Sequence, residues 1–96
     1  MHFAVPHKTT QSQAVQKVKL ALEHGKPQLK EYATIDAEKW DGNTLTFAAT
    51  VQGKEITGKL EVSDTDYIID ATLPLLWRMF ESRIEKMITD GVQSLG

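Results

Sequence analysis

The sequence predicts a small α+β domain in which one antiparallel sheet packs against two helices. Three observations carry this. Apolar residues recur at helical spacing near the start, at residues 14–22. They switch to a period of two from Thr34 to Leu73, and the helical period returns after Pro74. Turn signals break the central stretch every eight to twelve residues. The element order is βαββββα, and residues 1–96 form one domain, because a second would have almost no core.

Taken in order, Phe3 and Val5 alternate and read as an edge strand that Pro6 ends, since proline donates nothing to a ladder. Thr10, with Gln13 three residues on, has capping-box spacing. Ala14, Val15, Val18, Ala21 and Leu22 then share a helix face, and the helix is expected over 11–24, with Gly25 and Pro27 stopping it. Lys26 to Tyr32 is a connector with room for one more helical turn. Strands follow at 34–40, 44–51, 55–62 and 67–73. Their turns are at Asp41-Gly42 or Gly42-Asn43, at Gln52-Gly53-Lys54 and at residues 63–66. The short loops imply an antiparallel meander with one wet face. Leu45, Phe47, Leu60, Val62 and Ile69 point inward, and Gly58 joins them where a bulge or a close contact needs no side chain. Pro74 opens a C-terminal helix over 74–90, with Leu76, Trp77, Phe80, Ile84, Met87 and Ile88 as its core stripe. Phe47, Leu60, Ile69, Phe80 and Ile84 are the expected core.

The bulk numbers exclude whole classes of function. The chain is 41% hydrophobic and 25% charged, which rules against disorder. Its net charge of −2 gives no basic field for nucleic acid. There is no cysteine, so thiolate metal sites and disulfides are absent and a reducing cytoplasm is the expected compartment. Residues 1–8 do not read as a secretory signal, and no apolar run approaches the roughly 18 residues of a membrane span.

No catalytic or metal constellation emerges. His2, His7 and His24 lack partners in sequence and read as surface residues. The serines sit in capping, turn or helix-surface contexts outside any nucleophile motif. Asp36 and Glu38 share a strand face that Asp70 can neighbour. Paired carboxylates do acid–base work, but a solvated sheet face is the plainer account. No metal, cofactor or catalytic residue is expected. The unusual feature is Leu73 to Phe80, apolar on nearly every side for two turns. One small sheet cannot easily cover all of it, so unless the N-terminal strand or the Lys26–Tyr32 connector covers that flank, Leu75 and Met79, with Trp77 beside them, are expected to form an interaction surface, with Leu20 and Trp40 as further candidates. Leu20 lies off its helix's main face. Trp40 falls outside with Asp36 and Glu38 by strict alternation, unless a bulge returns it to the core.

The stretch from Trp40 onward resembles the small bacterial family of polyhydroxyalkanoic acid system proteins. The matching residues are Trp40, Gly42, Leu45 and Phe47 in a W-x-G-x-x-L-x-F strand, Gly58, Leu60 and Val62 in the next, and Leu73, Leu75, Leu76 and Phe80 at the final helix. The connector from Lys26 to Thr34 and Pro74 depart from the family pattern. The resemblance implies a cytoplasmic accessory or regulatory protein of polyester storage, possessing no catalytic residues to carry over. It would act through a protein or the polyester granule surface, without crossing a membrane. Two other readings stand beside it. A homodimer module would use the same apolar surface. A reduced helix-grip fold would hold an apolar ligand between sheet and helix, near the small inward residues Gly58, Ala49 and Ala71. Against that reading, such a pocket needs about 300 Å³.

Overall fold

The computed structural model describes residues 1–95. Its elements are β1 (His2–Pro6), α1 (Gln11–Leu29), β2 (Thr34–Asp41), β3 (Thr44–Val51), β4 (Lys54–Val62), β5 (Asp66–Thr72), a 3₁₀ helix η1 (Leu75–Phe80) and α2 (Glu81–Gln93). All strand pairs are antiparallel, in the order β1-β5-β4-β3-β2. The predicted fold class, βαββββα with an antiparallel sheet, is the observed one.

The strand order sets the course of α1. β1 and β2 are the opposite edges of the sheet, so the segment joining them must cross its full width. Four strand spacings amount to about 19 Å, and the 19-residue helix spans about 28 Å. Thr10 caps its start, accepting from the Gln13 amide at 3.2 Å. The helix then runs through Gly25 and Pro27 to Leu29. Proline removes one helical hydrogen bond. The last turns are nevertheless tied to the far edge, because Lys26 Nζ lies 2.7 Å from Glu38 on β2.

Cross-strand register sorts the side chains. Val5, Tyr67 and Val62 form one row, and Phe3, Ile69, Leu60, Leu45 and Trp40 the next. These rows face α1, and Ala14, Val15, Val18, Val62 and Tyr67 make a buried cluster. Leu22, Trp40, Leu60, Val92 and Leu95 close around it. Trp40 reaches this face through a β-bulge between Ile35 and Ala37. The extra residue, Asp36, inverts the alternation beyond it. The expectation that Trp40 and Glu38 lie outside with Asp36 is therefore corrected: both turn inward, opposite Leu45 and Phe47.

Gly58 serves a close approach between strands. A Cβ there would lie 2.7 Å from the Asp70 carbonyl and 2.8 Å from Phe47 Cζ. Phe47 stands opposite in the register, so its ring fills the space the glycine leaves. The β2–β3 and β3–β4 loops have two residues each. Gly42 takes positive φ in the first, and both Gln52 and Gly53 do so in the second, as tight hairpins require.

The expected core needs two corrections. Ile69 is buried, and Phe47, Leu60 and Ile84 are half-buried, but Phe80 is 50% exposed. Leu76 and Met87, placed in the core stripe by their spacing, are also exposed. The continuous helix expected from Pro74 is instead a six-residue 3₁₀ segment followed by α2, which continues through Gly91. With three residues per turn, η1 does not keep the α-helical stripe aligned with that of α2.

Candidate interaction surface

The chain leaves β5 through Leu73 and Pro74, whose extended backbone (φ −53°, ψ 146°) swings it away from the sheet. The Trp77 amide donates to the Pro74 carbonyl at 2.9 Å, and the Glu81 amide to the Arg78 carbonyl. Both are 3₁₀ bonds. Glu81 anchors the start of α2, with Oε1 3.3 Å from the amino group of Met1. That amino group also donates to the Ala71 carbonyl at 2.9 Å. α2 packs beside β1.

Of η1, only Trp77 is partly covered. Leu75 is 78% exposed, Leu76 73% and Met79 79%. Together with Phe80 they place four large apolar side chains in solvent within six residues. Leu75, Met79 and Trp77, the residues expected to form the surface, all lie on η1, with Leu75 and Met79 exposed and Trp77 half-buried. Leu76 and Phe80, which α-helical spacing assigns to the core, are exposed on the same segment.

Leu20 is exposed on α1 and Trp40 is half-buried against that helix, so the two other residues expected at the surface lie on different elements. Lys19 Nζ sits 5.1 Å from the Trp40 ring centroid, within cation–π range. Beside it, the Lys26–Glu38 hydrogen bond raises the Lys26 pKa above its usual value, against an opposing desolvation.

The carboxylates that share a strand face in the sequence are separated in space. Asp36 Oδ2 accepts from Thr50 Oγ1 at 2.6 Å, Glu38 pairs with Lys26, and Asp70 lies 3.5 Å from His2. Among the described residues no cluster of three metal-ligating side chains occurs.

His7 corrects another expectation: it is 8% exposed rather than a surface residue. Its Nε2 lies 2.8 Å from the Ser63 carbonyl, and its amide donates to Thr65 at 2.9 Å. The ring tilts against Tyr67, centroids 5.1 Å apart. His7 thereby ties the end of β1 to the β4–β5 turn. The Tyr67 hydroxyl is buried without a protein partner among the described residues, and desolvation raises its pKa. Only tertiary contacts reveal this, because His7 follows a proline and carries no motif.

The ligand reading meets a packed interior at its proposed seat, where Phe47 and the β5 backbone close on Gly58. A concavity of about 450 Å³ lies over the outward-facing Thr46, Ala48, Thr57, Lys59 and Thr72, with Phe47 and Gly58 also at its floor. It is open and away from both helices.

Over residues 1–95 the chain matches a family model described as "Putative polyhydroxyalkanoic acid system protein". The chain belongs to that family. No curated protein and no solved structure matches it. The polyhydroxyalkanoic acid system family thus combines here with an antiparallel α+β fold, an apolar 3₁₀ segment in solvent, and no helix long and apolar enough to cross a membrane among the described residues.

Proposed function

We propose that this protein is a non-catalytic accessory or regulatory factor of polyhydroxyalkanoate storage in the bacterial cytoplasm, and that it docks on the granule surface through η1. The observation that carries this reading is the exposure of Leu75, Leu76, Met79 and Phe80 on one short segment of a polyhydroxyalkanoic acid system protein. Each such side chain contributes on the order of 1.5–3 kcal/mol when fully removed from water. A hydrophobic polyester surface offers that burial to Leu75, Leu76 and Met79 together, whereas Phe80 shares its side of the 3₁₀ turn with half-buried Trp77. A non-catalytic role agrees with the separated carboxylates and with the structural tasks of His7 and Glu38.

The test is a Leu75→Glu/Met79→Glu protein expressed in granule-forming cells. Both side chains are almost free of intramolecular cover, so the melting temperature should stay within a few degrees of wild type while the protein leaves the granule fraction for the supernatant. Full retention on granules by the folded double variant would refute docking through η1.

A further inference from the structure

The apolar patch on η1 is interleaved with cations. Arg78 on η1 and Arg83 and Lys86 on the following turns of α2 are all exposed. The carboxylates of the same stretch are differently disposed. Glu81 is drawn to the amino group of Met1, Glu85 is half-buried, and Asp90 is exposed 3.8 Å from Lys86. Apart from Ser82, the exposed side chains of residues 75–87 are therefore apolar or cationic, in a chain whose net charge is −2.

We infer that this face binds an anionic phospholipid surface, lying in the headgroup plane with Leu75, Leu76 and Met79 inserted and Arg78, Arg83 and Lys86 on the phosphates. The inference deepens the granule-docking reading and rests on the same surface. Charge complementarity selects the occupant. A bare polyester surface covers the apolar side chains but strips water from Arg78 and Arg83 without supplying counter-charges, and leaves Lys86 only Asp90 at 3.8 Å. A second copy docked isologously brings a face of the same positive charge and no net counter-charge. An anionic lipid layer satisfies both sets, as it does for interfacial helices with apolar and basic faces.

The experiment is co-sedimentation of the full chain with two vesicle types, pure phosphatidylcholine and an equimolar mixture with phosphatidylglycerol. Wild type should pellet with the anionic vesicles, weakly or not at all with the zwitterionic ones, and less at high salt. Arg83→Gln/Lys86→Gln should bind the anionic vesicles about thirty-fold more weakly, the ratio that corresponds to about 1 kcal/mol for each cation. Leu75→Ser/Met79→Ser should lose vesicle binding with its circular dichroism melt retained. Equal binding to both vesicle types, or an Arg83→Gln/Lys86→Gln protein that binds as wild type, overturns the inference. So does self-association through the patch with no vesicle binding. Particles of pure polyhydroxyalkanoate free of phospholipid separate the two readings. Binding to those particles but not to vesicles overturns the lipid inference and leaves granule docking standing. Vesicle binding without granule association in cells supports the lipid surface and removes the granule reading.

Discussion

The buried pair His7 and Tyr67 shows how single side chains set conditions on this fold. Replacing His7 with alanine removes the bond to the Ser63 carbonyl and leaves that acceptor unpaired at the strand junction. A loss of about 1–3 kcal/mol is expected in urea denaturation. Tyr67→Phe is the opposite case. Its hydroxyl has no protein partner among the described residues, so the melting temperature should hold or rise. The same residue predicts an alkaline limb. Burial raises the folded-state pKa of Tyr67 above its ordinary value of 10.0. The unfolded chain therefore releases this proton first as pH climbs. The contribution is fully present below about pH 10 and is lost as pH rises through the folded pKa. Lys26, also raised by its partner Glu38, loses its contribution in the same direction. Stability followed from pH 8 to 11.5, on the order of the range where these groups titrate, should fall less steeply in Tyr67→Phe than in wild type. Identical curves would show that the phenol is solvated in the folded state.

Two glycines separate the demands of strand and helix. On β4, a Cβ at Gly58 meets the Asp70 carbonyl at 2.7 Å, and that backbone atom is held in the β4–β5 ladder. Gly58→Ala should cost about 1–3 kcal/mol, the usual penalty for overpacking a filled site. On α1, a Cβ at Gly25 meets nothing within 4 Å, and the backbone is helical. Gly25→Ala should stabilise by up to about 1 kcal/mol. Chemical denaturation of the pair checks both signs; two destabilising results would mean that α1 does not continue past residue 24. Much of this level was legible beforehand. The twofold alternation from Thr44 to Val62 located β3 and β4, and Thr10 with Gln13 located the helix start. The helix end was not legible, because Gly25 and Pro27 are local stop signals. They are overridden by a contact with Glu38, which lies twelve residues beyond Lys26 in sequence and on the far edge of the sheet.

Across the whole molecule, packing is uneven. The tightest region joins α1 to β4 and β5 through Val15, Val18, Val62 and Tyr67. η1 contains no buried residue, and neither does α2. Amide hydrogen exchange should follow this gradient, because local opening is easiest where few apolar contacts must break. The slowest amides are expected in β4, β5 and the first half of α1, and the fastest helical ones from Trp77 to Phe80. Protection at Trp77–Phe80 equal to that of β5 would show that the segment is covered in solution. Its deprotection should diminish when the protein is bound to the surface it recognises.

Composition and periodicity alone determined the class of this protein: an α+β fold, its element order and the inward faces of β3 to β5; the family was pointed to separately, by a resemblance carried by Trp40, Phe47, Gly58 and Leu75. Those features are local, and each is written in a few adjacent residues. The tertiary structure decided the rest. It set β1 beside β5, which obliges α1 to span the sheet. It placed a bulge at Asp36 that turns Trp40 and Glu38 inward, and it buried His7. It also wound residues 75–80 as 3₁₀ rather than α-helix, which put Leu76 and Phe80 in solvent instead of the core. Spacing along the chain states which side chains share a face. Only the packing of distant segments states whether anything lies against that face.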